Sequence, residues 1–374
     1  MSGIYIHIPF CKQACNYCNF HFSVNNSLLP RMVEAIVFEA NLQKHYLKDS
    51  VETIYFGGGT PSLLSNTQLT AILHGINAAF PISTNAEITL EANPDDITQE
   101  KLGFWKWAGI NRLSIGVQSF FEEDLVWMNR AHNAQQAIHC IKLAQKEGFN
   151  NISIDLIYGG PSLSDENWEK NLSTCFDLGI PHLSAYALTV EPKTALAKQI
   201  KAKTLMNIDL EKQATHFNIL VNLTAKAGLD HYEISNFAVP GNKSKHNTSY
   251  WSGKHYLGLG PAAHSFNGTS RQWNIANNNL YLASIQQNTI PFEIEQLTAI
   301  QQLNEYIMTA LRTSEGIDLE KIKDIGGEIA LKKLITDAEK YLRSLSIEQN
   351  KNHLTLTREG KFFADGIAAD LFQL

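Results

Sequence analysis

The feature that most constrains the fold of this chain is a regular alternation of short β-rich runs with amphipathic helical patterns over residues 1–235. Strands that recur every ~30–40 residues with helices between them form βαβ units, which build a parallel sheet. Six units predict an α/β fold, an open, partial (β/α)6 barrel of the TIM type. The predicted strands are Ile4–Ile8, Thr53–Phe56, Glu87–Glu91, Arg112–Val117, Ile152–Tyr158 and His182–Leu188.

Polar residues at the ends of these strands favour a partial barrel over a flat, doubly wound sheet. Glu91, Gln118 and Asp155 each follow an apolar run. In barrels of this type the active site lies at the carboxyl ends of the strands, so we expect these side chains to meet at one face.

Two further regions follow the barrel. Residues 236–295 are predicted as a linking segment, because residues 236–279 are polar and rich in Gly, Asn, Ser, Lys and His. Residues 296–374 show helix, short helix, helix and a hairpin-like pair, an order that resembles a winged helix. This region carries 10 basic against 12 acidic residues, so we expect it to cover a substrate or to support the fold rather than to bind nucleic acid.

Composition supports a location inside the cell. The net charge of −6 gives no reason to expect nucleic-acid binding, and no apolar run reaches the ~20 residues needed to span a bilayer. The start of the chain lacks the basic and apolar regions of a signal peptide. Five cysteines, clustered at one end and odd in number, fit a reducing compartment better than a disulfide framework. We therefore expect a cytoplasmic protein.

Three cysteines after the first strand carry the chemistry. Cys11, Cys15 and Cys18 have the spacing C-x3-C-x2-C, one thiol too few for a closed zinc site or a fully protein-ligated iron–sulfur cube. Three thiols suit a [4Fe–4S] cluster with one open iron. A zinc knuckle completed by His7 or His21 is the alternative, which the position of the loop in a βα array disfavours.

This loop resembles the signature of the radical S-adenosylmethionine (SAM) enzymes, in which the open iron binds the amine and carboxylate of SAM. Further stretches resemble one branch, the oxygen-independent coproporphyrinogen oxidase-like family, over nearly the whole chain. These stretches are Gly57–Pro61, Glu91–Pro94, Gly116–Phe120 and Asp155–Gly159.

The resemblance implies a set of SAM contacts. A glycine triplet alone is most often a tight turn, and a strand-end carboxylate is as often a helix cap or half of a salt bridge. In the context of the cysteines, these groups would approach the amine, carboxylate and ribose hydroxyls of SAM. The implied contacts are Tyr5, Gly58, Gly59, Thr60, Glu91, Gln118, Arg130 and Asp155.

Two departures from the oxidase pattern shift the expected activity. The oxidase carries C-x3-C-x2-C-x-C, whereas Phe20 stands here at the position of the fourth thiol. The chain also begins almost at its first strand, without the longer arm of the oxidase. Both features resemble a branch of the family described as haem chaperones, which bind haem and deliver it to haem-dependent proteins.

The segment His246–Trp251 supports the chaperone branch. It matches the H-N-x-x-Y-W motif proposed as a haem-binding element, and imidazole is a common axial ligand of haem iron. Tyr250 offers a flat apolar face beside it. A solvated loop histidine is the alternative, and His255 and His264 are rival ligands.

The resemblance therefore implies a haem chaperone with three cofactors: a [4Fe–4S] cluster, SAM and haem. Haem-accepting respiratory proteins are the implied partners, with a homodimer and a peripheral contact with the inner membrane left open. Two alternatives remain. One is an oxygen-independent coproporphyrinogen III oxidase, and the other is a non-enzymatic zinc or interaction module.

Overall fold

The computed structural model describes residues 2–205 and 207–373. Its first eight strands are β1 (Ser2–Ile8), β2 (Val51–Gly58), β3 (Ile82–Ala92), β4 (Arg112–Gln118), β5 (Ile152–Tyr158), β6 (His182–Ala187), β7 (Asp230–Glu233) and β8 (Asn236–Ala238). The later strands are β9 (His255–Leu259), β10 (His264–Phe266), β11 (Ser270–Asn274), β12 (Phe292–Gln296), β13 (Ile317–Asp318), β14 (Ile347–Asn350) and β15 (His353–Leu356).

The helices alternate with these strands. In the first half they are α1 (Leu29–Leu42), α2 (Asn66–Ala79), α3 (Gln99–Trp107), α4 (Glu122–Trp127), α5 (Ala134–Lys146) and α6 (Asp165–Asp177). The others are α7 (Ala195–Lys201), α8 (Leu210–Lys226), α9 (Lys245–Trp251), α10 (Asn278–Gln286), α11 (Ala299–Leu311), α12 (Leu319–Arg343) and α13 (Ala364–Asp370). Short 3₁₀ helices span Asn26–Leu28, Pro61–Leu63, Pro94–Asp96 and Gly360–Phe363.

The strands build the predicted partial barrel. Among the described residues, twelve strands form one sheet in the order β12-β11-β10-β9-β1-β2-β3-β4-β5-β6-β8-β7. Strands β1 to β6 are parallel neighbours in chain order, as six βα units require. The six-unit prediction is confirmed.

Packing follows from the alternation of side chains along each strand. On β1, Ile4, Ile6 and Ile8 are fully buried in the hydrophobic core of the barrel domain. Gly3, Tyr5 and His7 therefore point to the opposite face, which is the interior of the barrel. The polar and aromatic side chains of this interior form the candidate site.

Residues 236–295, predicted as a linking segment, instead form strands of the large sheet and two helices. Strand β9 pairs in parallel with β1, and β10, β11 and β12 extend the same sheet in antiparallel fashion. These strands have three to five residues, and β12 is exposed along its whole length. Short, polar strands near a sheet edge have the composition of a loop, which explains the error.

The C-terminal region has a core of its own and the predicted winged-helix-like order. Helices α11, α12 and α13 pack around a small sheet in the order β13-β15-β14. Helix α12 is interrupted at Gly327, where φ is +75°, and this break separates the two helices that the sequence predicts. A left-handed backbone at this point favours glycine.

The C-terminal domain is joined to the barrel by polar contacts beside the carboxyl ends of the strands. The Arg358 guanidinium donates to the Asn218 side chain at 2.7 Å and to the Asn222 side chain at 2.7 Å, both on α8. The Phe362 ring meets the Phe217 ring edge to face. These contacts hold the 3₁₀ helix Gly360–Phe363 at the mouth of the barrel.

Candidate functional site

A cavity of about 910 Å³ opens at the carboxyl ends of the parallel strands. It has the size of a small-molecule site. Its wall combines the cysteine loop, the strand ends and the C-terminal domain. The predicted site residues on this wall are Cys11, Cys15, Cys18, Gly58, Gly59, Thr60, Glu91, Gln118, Arg130 and Asp155.

The glycine triplet holds the cysteine loop in place. The Gly59 amide donates to the Ile8 carbonyl at 2.9 Å, and the Thr60 amide donates to the Phe10 carbonyl at 2.7 Å. A Cβ atom at Gly59 would lie 2.5 Å from the Phe10 carbonyl oxygen. Gly59 is therefore needed for close backbone approach to the first cysteine rather than for a ligand alone.

The three thiols fit an iron–sulfur cluster. None of the five cysteines in the described part is in a disulfide, and the three of the loop are partly exposed to the cavity. Burial raises the pKa of the Cys11 thiol to about 11, so this thiol keeps its proton until a metal replaces it. Three thiols on one wall are the donor set of an open-iron cluster.

A mononuclear zinc site finds less support. The His7 Nε2 atom is 2.9 Å from the His21 carbonyl oxygen, and the His21 Nε2 atom is 2.7 Å from the Asn278 side-chain oxygen. Both histidines thus have partners outside the cysteine loop.

Arg130 connects the cysteine loop to the strand ends. Its Nη1 atom donates to Cys15 Sγ at 3.3 Å, and its Nη2 atom donates to the Asn93 side-chain oxygen at 2.7 Å and the Gly116 carbonyl at 2.8 Å. Its Nε atom is buried and has no hydrogen-bond partner among the described residues. The guanidinium also lines the cavity, where its positive charge can attract an anionic group such as a carboxylate.

Glu91 and Asp155 place two carboxyl groups in the same cavity. Burial, and then the nearby Asp155 charge, raises the pKa of Glu91 to about 8. Burial raises the pKa of Asp155 to about 6. The Tyr55 hydroxyl donates to Glu91 at 2.8 Å, and the Ser114 hydroxyl donates to Asp155 at 3.3 Å. A ligand with positive charge and hydroxyl groups would stabilise the ionised pair.

Gln118 has a strained backbone at the end of β4. Its φ is +67°, and the pairing of β4 with β5 shifts between Gly116 and Gln118. A non-glycine residue in the left-handed region is costly and is often held at a functional site. The irregularity places Gln118 on the cavity wall.

Tyr5 lies below the cavity rather than on its wall. Its ring stacks on Tyr55 with a centroid distance of 6.1 Å, and its hydroxyl is 3.3 Å from His7 Nδ1. Tyr5 therefore reaches a ligand in the cavity only through its neighbours in the barrel interior.

The structure places His246 away from the cavity. Its side chain is buried, with Nδ1 2.8 Å from the Thr53 hydroxyl and Nε2 2.8 Å from the Tyr250 hydroxyl. Burial lowers the pKa of His246 to about 3, so the ring is neutral. The rival ligand His264 is exposed, and His255 is partly exposed.

Trp251, the last residue of the motif, contacts the C-terminal domain. The Arg312 guanidinium lies over its ring at 5.2 Å and forms ion pairs with Glu233 and Asp365, both at 3.0 Å. Arg312 also lines the cavity. The segment His246–Trp251 and the cavity mouth are thus joined through one arginine.

Several cavity residues had no signal in the sequence. Ser114 lies on the cavity wall and contacts Asp155 only after the strands pair. Tyr55 lies below the wall and contacts Glu91 for the same reason. The C-terminal residues Lys361, Phe362 and Phe363 reach the cavity by domain contact. Asn93 also lines the cavity and lies within the Glu91–Pro94 stretch that the sequence analysis identifies.

Comparison with known proteins agrees with this architecture. Residues 5–175 match the radical SAM superfamily, and residues 297–363 match the HemN C-terminal domain. The chain is 33% identical to the "Heme chaperone HemW" of Bacillus subtilis, over 98% of both chains. The chain belongs to the HemW family.

A second member of the HemW family, from Escherichia coli, is 37% identical over 70% of this chain and 69% of its own length. The solved structure of coproporphyrinogen III oxidase (HemN) from Escherichia coli, which is a radical SAM enzyme, matches with a TM-score of 0.86. That match covers 100% of this chain and 90% of the other at 20% identity, and it shows the shared fold.

Proposed function

We propose that this chain is a haem chaperone that binds haem, a [4Fe–4S] cluster and SAM, transfers haem to haem-dependent respiratory proteins, and does not oxidise coproporphyrinogen. The observation that carries the proposal is the composition of the cavity wall. There the three thiols are accompanied by the Phe20 ring, which stands at the position of the oxidase's fourth thiol. Phe20 is 67% exposed and lines this cavity. Relatives named heme chaperones match this chain over nearly its whole length.

Different cavity residues would bind the cluster and the different groups of SAM. Cys11, Cys15 and Cys18 would hold the cluster, which supplies one-electron chemistry toward SAM when bound. Arg130, whose side chain lines the cavity, would attract the SAM carboxylate. Glu91, when ionised, would accept hydrogen bonds from ribose hydroxyls or the ammonium group.

The remaining implied contacts shape the site. Gly58 and Thr60 bring the backbone to the cavity beside Cys11, and Gln118 enters from β4. Asp155 faces the cavity from β5 with Ser114 as its donor. Tyr5 supports the site from the barrel interior, because its ring stacks on the Tyr55 ring.

Haem ligation by His246 needs a movement of α9. Both ring nitrogens of His246 already have hydrogen-bond partners, so haem iron would replace the Thr53 or the Tyr250 contact. The neutral ring has the protonation state that a metal requires. We propose His246 as the axial ligand in an opened state, with His255 and His264 as the rivals to be tested.

Exposed aromatic side chains form an apolar surface at the mouth of the cavity. Phe363 is 66% exposed and lines the cavity together with Phe20 and Phe362. Exposed aromatic side chains around a cavity mark a binding surface for a flat apolar ligand. This surface supports haem as the cargo.

We also propose a cytoplasmic location, with respiratory haem proteins as the acceptors. No helix in the described ranges is long and apolar enough to cross a membrane. A homodimer and a peripheral contact with the inner membrane belong to the same proposal.

Haem titration tests the cargo. The full chain, reconstituted anaerobically, is titrated with haem beside His246→Ala, His255→Ala and His264→Ala variants. We expect the His246→Ala variant to lose the axial-histidine spectrum while the other two retain it. Undiminished binding by the His246→Ala variant would remove this residue from the haem site.

A further inference from the structure

Helix α9 contacts strands β2 and β3 through His246. Gly3 of β1 pairs with Thr53 of β2, and Thr53 pairs with Glu87 of β3. His246 contacts this layer through its hydrogen bond with Thr53 and through its amide, which donates to Glu87 at 3.2 Å. Helix α9 is thus anchored at the end of the barrel where the strands begin.

Gly3 leaves the space that His246 fills. A Cβ atom at Gly3 would lie 2.7 Å from the Thr53 hydroxyl oxygen and 3.4 Å from the His246 ring. The imidazole is therefore an integral part of the barrel interior.

A second layer connects His246 to the cavity. Tyr5 pairs with Tyr55, and the Tyr55 ring stacks on His246 with a centroid distance of 4.9 Å. The Tyr55 hydroxyl points toward the carboxyl end, where it donates to Glu91 at 2.8 Å. One tyrosine therefore contacts the helix at one end of the barrel and the cavity carboxylate at the other.

We infer that His246 is a positioning residue of the SAM site: it fixes the Tyr55 ring, and Tyr55 orients Glu91 toward the ligand. The inference rests on the proposed SAM binding. It has a consequence for the chaperone, because any movement that frees His246 for haem also removes the support of Tyr55. Haem ligation and SAM binding would then oppose each other, and such coupling is reciprocal.

A purely structural role of His246 makes a different prediction. A packed core histidine contributes to folding, and its loss lowers stability without a specific effect on SAM affinity in the folded fraction. The two roles are separated by measuring SAM affinity on folded protein with a full cluster.

The experiment is SAM titration of the anaerobically reconstituted full chain by calorimetry, with iron content and thermal unfolding measured on each sample. Tyr55→Phe removes the donor to Glu91 and keeps the ring, and we expect SAM to bind about tenfold more weakly, as for the loss of one hydrogen bond to a charged group. His246→Ala should show a similar loss. His246→Gln keeps a donor and an acceptor at this position and should retain most of the wild-type SAM affinity.

Two controls make the result specific. Ser249→Ala alters α9 at a hydroxyl that bonds to the Lys245 carbonyl within the helix, and it should leave SAM affinity unchanged. The double variant of Tyr55→Phe and His246→Ala should lose little more SAM affinity than either single variant. The effects of residues that act through one chain of contacts are not additive.

The outcomes distinguish the possible failures. If the wild-type chain with a full cluster does not bind SAM, the proposed function and this inference are both wrong. If the wild type binds SAM and folded His246→Ala binds it equally well, the inference alone is wrong. If His246→Ala does not fold, wild-type affinity in Tyr55→Phe overturns the inference.

Discussion

The Arg130 Nη1 atom lies 3.3 Å from the Cys15 Sγ atom, although 115 residues separate the two in the chain. The same guanidinium reaches Asn93 and the Gly116 carbonyl, so one side chain contacts the cysteine loop and the ends of two strands. Arginine can do this because its donors form a rigid, planar fork. This contact joins the proposed cluster loop to the proposed SAM wall.

Replacing Arg130 by lysine should therefore weaken SAM binding. An ammonium cannot make the three contacts together, because it lacks the planar fork of donors. We expect a loss of at least about tenfold in SAM affinity, in line with the loss of a charged hydrogen bond, with iron content retained. Arg31→Lys, at an exposed position on α1, is the matched control, and unchanged affinity in Arg130→Lys would contradict the assignment.

The thiols should differ in their effect on iron binding. Cys15→Ser removes a donor of the proposed cluster, and we expect it to lower bound iron strongly after anaerobic reconstitution. Cys140→Ala replaces a buried thiol on α5, whose Sγ atom donates to the Ala137 carbonyl within the helix, and should keep wild-type iron content. Equal iron content in the two variants would exclude the loop as the cluster site.

SAM affinity should rise with pH between about 6 and 8. The folded-state pKa values of Asp155 and Glu91 are raised to about 6 and about 8, so both carboxyl groups lose their protons over this interval. Because SAM is cationic, ionised carboxylates bind it more tightly, and binding releases protons. Asp155→Asn removes the repulsive neighbour of Glu91 and should move the rise to lower pH. A flat profile in calorimetric titrations would refute the role of these groups.

The barrel should also depend on one buried carboxylate outside the site. Glu39 accepts hydrogen bonds from the Gly260 amide at 2.7 Å and from the Tyr281 hydroxyl at 2.6 Å with one oxygen, and from the Asn274 amide group at 2.7 Å with the other. In glutamine an NH2 group replaces one carboxylate oxygen of Glu39. Because an NH2 group donates and does not accept, the donors that face it would lose their partner. We expect Glu39→Gln to lower the free energy of unfolding by about 2 kcal/mol.

Chemical denaturation measures this loss. Glu34→Gln, an exposed position on the same helix, should change the free energy of unfolding by less than about 0.5 kcal/mol. Equal stability of the two variants would show that the Glu39 contacts contribute little.

The sequence predicts the six parallel strands because buried parallel strands are nearly continuous apolar runs. It also predicts Glu91, Gln118 and Asp155 as a group, since the carboxyl ends of neighbouring strands meet. The strands β9 to β12 escape prediction because they have only three to five residues, and β12 at the sheet edge is exposed along its whole length.

The surroundings of His246 also escape prediction. Its neighbours in the chain are polar, and the alternation that buries Tyr5 and Tyr55 beside it becomes visible only when β1 and β2 are paired in register. The position of Tyr55 under Glu91 depends on the same register. Contacts between strands are set by tertiary pairing, which composition and spacing do not encode.

The most direct test of the account is one anaerobic assay of the reconstituted full chain that follows haem transfer to an acceptor apoprotein and coproporphyrinogen III oxidation in the same sample. The account predicts haem transfer without porphyrinogen turnover. Turnover of coproporphyrinogen with no transfer of haem would contradict it.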